Sequence, residues 1–140
     1  MSAKAGTVVD SSVLLDVFTE DRRWGAWSHR HLTEAAQRGA IVLNAVVLAE
    51  VAPRFSRIET LRAALPSMAT VEEIPPAAAF LAGHAHARYR RAGGTREAIL
   101  PDFLIGAHAA VTARPLLTRD PRRVAAQIPG ATLVSPDDPG

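Results

Sequence analysis

Four carboxylates stand where the sequence could do chemistry: Asp10, Glu50, Asp102 and Asp120. Asp10 closes the apolar run Thr7-Val8-Val9 and is followed by Ser11 and Ser12. A short β-branched run ending in a polar residue reads as a buried parallel strand leaving its sheet, and open α/β sheets bind ligands just outside those carboxyl ends. Glu50 interrupts the apolar stretch 45–51, where a carboxylate without a cation or donors is costly to bury. Asp102 lies in the first turn of a small-residue apolar helix that Pro101 is well placed to start. Asp120 follows a short strand at 115–118, where a strand's carboxyl end is expected. Three of these positions also have a structural reading: Asp10-Ser11-Ser12 as a helix cap, Asp102 as a partner of the helix dipole, and Glu50 turned to water.

A parallel sheet brings such termini to one edge. Two carboxylates about 5 Å apart repel by about 3 kcal/mol at an effective dielectric of about 20, so four converging groups oppose folding unless something positive binds. Hard divalent cations take oxygen ligands, and Mg²⁺ or Mn²⁺ suits a carboxylate site shared with phosphate oxygens. The implied reaction is metal-assisted phosphodiester hydrolysis, with one ion, or two about 4 Å apart, activating water and stabilising the leaving oxygen. No Ser-His-Asp or Cys-His arrangement competes, and Gly93-Gly94 is not a phosphate-binding fingerprint. A phospho-receiver needs a strand-end lysine, but the only lysine is Lys4; haloacid-dehalogenase-type phosphatases need an aspartate where Ser12 stands.

The elements that must carry these groups follow from the pattern. Short apolar strands are expected at 7–9, 40–43, 115–118 and 131–134, with a more polar edge strand at 70–74 ended by Pro75-Pro76. Helices are expected at 11–18, with Ser11 or Ser12 as cap, and after Thr19-Glu20-Asp21 as far as Arg38. Others begin at 45 and 77, the latter reaching Arg91, and a further helix begins near Pro101. Residues 54–65 continue helical, with Pro53 kinking the path and Pro66 ending it. Trp24, Trp27, His31 and Leu32 share a face suited to core or subunit contact. His29 and His31, like His84 and His86, are two apart and make poor metal pairs on a helix.

At 140 residues the chain fits one domain over 1–140, with a Pro/Asp-rich flexible tail at 135–140. Hydrophobic residues make up 48% and charged residues 21%, which argues against disorder, and no apolar run reaches the roughly 20 residues of a membrane span. The absence of cysteine excludes disulfides and thiolate metal sites and fits a reducing cytoplasm, and Met1 to Gly6 carries no export signal. A net charge of +2 imposes no field, but Arg88, Arg90, Arg91, Arg96, Arg114, Arg119, Arg122 and Arg123 cluster in the second half, where they can meet phosphates or simply form solvated faces.

In order, Val9-Asp10-Ser11-Ser12-Val13-Leu14-Leu15-Asp16, Ala49-Glu50-Val51, Leu100-Pro101-Asp102-Phe103-Leu104-Ile105-Gly106-Ala107-His108-Ala109 and Leu117-Thr118-Arg119-Asp120 span almost the whole chain. This series resembles PIN-domain ribonucleases, most closely VapC-type toxins of bacterial toxin-antitoxin systems. The resemblance implies a PIN-like three-layer α/β/α sandwich with a mostly parallel sheet of about five strands. It also implies Mg²⁺- or Mn²⁺-dependent RNA cleavage, a homodimer, and a cognate antitoxin whose tail covers the active site. Carried over by position, Asp10, Asp102 and Asp120 would be metal ligands and Glu50 would complete the cluster directly or through water. Ser12 and Thr118 would support the site, and Asp16 would be structural. Pro121 and Gly106 depart from the family pattern, the first stiffening the loop after Asp120 and the second altering packing. The alternative is a non-catalytic PIN-like interaction module using the same pocket or the Trp24/Trp27 face.

Overall fold

Val8 and Val9 are fully buried, and the strand they form, β1 (Thr7–Val9), is the middle of a five-stranded sheet. The structure, a computed structural model, describes residues 5–96 and 99–136. Its sheet runs β3 (Ala69–Val71), β2 (Ile41–Leu43), β1, β4 (Pro115–Leu117), β5 (Thr132–Val134). Every pair is parallel, so the mostly parallel expectation resolves to an entirely parallel sheet. Val8 faces both Val42 and Leu116, and the central strands are apolar on both sides, as parallel strands covered by helices must be.

The chain moves outward from β1 to β2 and β3, then crosses back to β4 and β5. Right-handed crossovers therefore put α1 (Ser11–Phe18), α2 (Gly25–Arg38), α3 (Ala45–Val51) and α4 (Ile58–Ala64) on one face. They put α5 (Pro76–Arg91), α6 (Leu100–Val111) and α7 (Arg122–Gln127) on the other, where α5, α6 and α7 pack on one another. This is the α/β/α sandwich. The direction of winding reverses between β1 and β4, and Asp10 N hydrogen-bonds Leu117 O (2.9 Å) at that point. The end of β1 and the start of the β4–α7 loop are thereby held side by side.

Several local expectations are corrected. Neither Ser11 nor Ser12 caps α1. Asp10 occupies the cap position without a side-chain cap bond, and both serines are helical, with hydroxyls turned to carboxylates instead. Asp21 does organise the entry to α2, its Oδ2 accepting from the backbone N–H groups of Arg23 (3.1 Å) and Trp24 (2.7 Å), but the helix begins only at Gly25. Trp24 thus precedes the helix. Leu32 is buried, while Trp27 stacks on His31 at 4.2 Å and packs against the core.

The stretch 54–65 is not one helix. Pro53 sits in a 3-10 turn, Ala52–Arg54, and the chain then bends at Ser56 and Arg57, with Phe55 and Arg57 in extended conformation, before α4. Phe55 meets the edge of Phe18 at 5.4 Å, a tertiary contact that local propensity does not encode. β3 stops at Val71, not 74. Glu72 N still bonds Leu43 O (2.8 Å), but the Glu72 carboxylate is drawn to Arg114 and His108. Helix α7 lies where no helix was expected. Of the anticipated tail, Ser135 and Pro136 are described and Pro136 is buried, while 137–140 lie outside the described residues, as do Met1 to Lys4. No helix among the described residues is long and apolar enough to cross a membrane.

Candidate active site

The end of β1 delivers Asp10, the last turn of α3 delivers Glu50, and the first turn of α6 delivers Asp102. Carboxylate oxygens of these three residues lie within 4.8 Å of one another, although they are 40 and 52 positions apart in the chain. They share a cavity of about 220 Å³ with Ser12, Arg96 and Asp120. Asp120 lines the same space but does not join the three: its carboxylate is exposed and reaches Arg123 at 3.6 Å.

Hydroxyls hold two of the three carboxylates on one side. Ser12 Oγ (2.7 Å) and Thr118 Oγ1 (2.9 Å) both donate to Oδ2 of Asp10, and Ser11 Oγ donates to Oε1 of Glu50 (2.8 Å). The loop behind them is tied in turn. Thr118 Oγ1 accepts from Asp120 N (3.1 Å) and Ser12 Oγ from Arg119 N (3.3 Å). The Arg119 guanidinium clasps Asp16 through Nε (3.0 Å) and Nη2 (3.1 Å), and Asp16 also accepts from Ser28 Oγ (2.7 Å). Asp16 is buried and spent on this anchorage, and the paired carboxylate raises the basicity of Arg119.

The site is electrostatically strained as a bare set of acids. Burial raises the Asp10 carboxyl above its ordinary range against the pull of the Ser12 and Thr118 hydroxyls. Burial likewise raises Glu50, opposed by Ser11 and reinforced by the charge of Asp10. Asp102 is pushed up to about 7, first by burial and then by the charges of Asp10 and Glu50, with Arg96 pulling the other way. Three carboxylates in mutual reach, offering oxygen as the ligand atom, fit a hard divalent cation and not a soft one. The arrangement can bind such an ion and, beside it, a phosphate oxygen.

Residue types and spacing had pointed to Asp10, Glu50, Asp102 and Asp120, and the family resemblance to Ser12 and Thr118; the fold brings all six to this cavity, with Asp120 at its exposed side. Ser11 and Arg96 were missed as site neighbours. Ser11 had a signal in its adjacency to Asp10, whereas Arg96 is brought to the acids by the tertiary fold and had no local signal.

The chain belongs to the PIN domain family, whose model matches residues 7–129. No curated protein matches it in sequence. In fold it is similar to VapBC2 from Rickettsia felis, solved bound to a DNA fragment from its promoter: the TM-score is 0.69 at 17% identity, over 94% of this chain and 98% of that one. DNA-bound VapBC from Salmonella typhimurium gives 0.66 at 15%, over 94% and 98%. VapC20 of Mycobacterium tuberculosis, a toxin that cleaves the sarcin-ricin loop, gives 0.60 at 17%, over 86% and 95%.

Proposed function

We propose that this PIN domain is a VapC-type toxin, an endoribonuclease that uses Mg²⁺ or Mn²⁺ to hydrolyse RNA phosphodiester bonds and is inhibited by a cognate antitoxin. The observation that carries the reading is the approach of Asp10, Glu50 and Asp102 to within 4.8 Å at the carboxyl edge of the sheet. In this reading Asp10 and Asp102 hold the cation, with Glu50 completing the set, and Asp120 contributes from the rim of the cavity. A divalent cation so held supplies a water of lowered pKa and neutralises charge building on the phosphate oxygens. The protein's own part is placement. Ser12 and Thr118 fix Asp10 by one oxygen and leave the other clear of hydroxyl donors; Ser11 does the same for Glu50. Arg96 lines the cavity as a cation able to meet the backbone of an entering RNA.

The partner calls belong to the same proposal. An open apolar groove of about 480 Å³ between α3, α4 and β3, lined by residues such as Leu48, Phe55, Ile58 and Leu65, supports an apolar protein partner. Phe80 on α5, 70% exposed, supports self-association as a homodimer.

The test is cleavage of a mixed cellular RNA pool by purified protein with Mg²⁺ or Mn²⁺, beside EDTA and the variants Asp10→Asn and Asp102→Asn. Products should depend on metal. Each substitution should slow cleavage by more than about 100-fold, because disturbing even the groups behind a metal's ligands costs about 10–100-fold. Undiminished cleavage by either variant contradicts the mechanism. No cleavage together with no Mn²⁺ binding by calorimetry favours the non-catalytic interaction module.

A further inference from the structure

Behind the acidic cavity runs a second polar network that touches none of the three carboxylates. Asn44, which follows β2 directly, and His108, on α6, are both completely buried. Asn44 Oδ1 accepts from the backbone N–H groups of Val46 (3.0 Å) and Val47 (3.1 Å) and so caps α3. With its oxygen committed to the helix, its Nδ2 faces His108 and donates to Nδ1 at 2.9 Å. His108 must then carry its proton on Nε2, which donates to Glu72 Oε1 at 2.9 Å. Glu72 is clasped by both Nη atoms of Arg114 (2.7 and 2.9 Å), and Arg114 Nε donates to Ala5 O (2.9 Å).

The two ends of the Asn44–His108 bond belong to the two helices that bear site acids. Glu50 lies on α3, six residues after Asn44, and Asp102 lies on α6, six residues before His108. We infer that Asn44 and His108 are positioning residues for the acidic site. Their hydrogen bond clamps α3 to α6 and sets the separation of Glu50 and Asp102, with His108 held in one tautomer by the cap on one side and Glu72 on the other. A buried polar pair costs stability unless its members are satisfied, and here Asn44 is answered by the α3 backbone and His108, and His108 by Asn44 and Glu72. The inference rests on the reading that these carboxylates hold a divalent cation.

The pair is tested by Mn²⁺ calorimetry on the full chain, with circular dichroism on every variant. His108→Leu removes both ring bonds. Asn44→Ser keeps a hydroxyl cap for α3 but is too short to reach His108. His108→Gln can accept from Asn44 and donate to Glu72. The two severed variants should show a Mn²⁺ dissociation constant raised about tenfold, the low end of the cost of disturbing outer-shell partners, while His108→Gln stays at the parent value. A purely structural role predicts lowered thermal midpoints without that selective rescue of metal affinity. Long-range ¹H–¹⁵N spectra of the unsubstituted protein should place the His108 proton on Nε2, a readout that needs no variant to fold. A proton on Nδ1, or a folded severed variant binding Mn²⁺ as tightly as the parent, overturns the clamp. A parent protein that binds no Mn²⁺ overturns the metal-site reading and the clamp with it. Failure of the clamp alone looks different, because the parent then binds and the severed variants match it.

Discussion

Asp102 is the residue on which ionisation and cation binding meet. Its carboxyl, ordinarily near 3.8, is pushed up to about 7 by burial and by the charges of Asp10 and Glu50. Between those two values the folded chain holds a proton that the unfolded chain has lost, so folding takes up a proton there. Stability of the metal-free protein should therefore fall as pH rises from about 4 to about 7, from this group. Thermal unfolding in EDTA should give a lower midpoint at pH 8 than at pH 5.5, and Asp102→Asn should flatten that difference. A bound cation must displace the same proton, so Mn²⁺ affinity should climb by up to about tenfold per pH unit until about pH 7 and then level off. Calorimetry at pH 6 and pH 8 checks it, and equal affinities at the two values would contradict it. Glu72 behaves oppositely: hydrogen bonds from Arg114 and then His108 hold it down at about 2, so its contribution persists at neutral pH and is lost only on acidification.

Among the elements, α6 carries the most constraint. It is buried along much of its length, bears Asp102 in its first turn and His108 two turns on, and lies against α5, α7 and β1. Gly106 is where it meets α7, for a methyl group there would come within 2.7 Å of Val124 Cγ1 and 3.4 Å of Ile128 Cδ1. Substitution Gly106→Ala should consequently destabilise by about 1–3 kcal/mol despite the better helix propensity of alanine, since overpacking a filled interface forces side chains off their rotamers. Urea denaturation measures it, and a stabilised Gly106→Ala protein would show that α7 yields freely. Helix α7 itself was illegible beforehand. Its six residues, Arg122–Gln127, have two arginines at the start and one strongly buried side chain, too little periodicity to register as a helix without the face of α6 to lie on.

At the scale of the molecule, the sheet reverses its winding between β1 and β4, and the acidic cavity opens where it does. A fold that gathers like charges there gives up stability that a cation bound as proposed would return. Mn²⁺ at about 100 times its dissociation constant should stabilise the protein by about 2.7 kcal/mol, visible as a raised unfolding midpoint. Asp10→Asn should lose that response while being no less stable than the parent in EDTA. The strands could be read from the sequence because a parallel sheet covered on both faces demands uninterrupted apolar runs, and Thr7-Val8-Val9 and Ile41-Val42-Leu43 supply them with a polar residue at each end. The acids were legible for the same reason, each marking the point where such a run or its following helix meets solvent. Which acids meet was not legible. Asp10, Glu50 and Asp102 converge while Asp120 turns toward Arg123, and His108, one of five histidines, becomes a buried link between two helices. Local pattern reports which face of an element is apolar, whereas the meeting of side chains from distant positions depends on how the helices pack over the sheet, and that arrangement exists only once the whole core has closed.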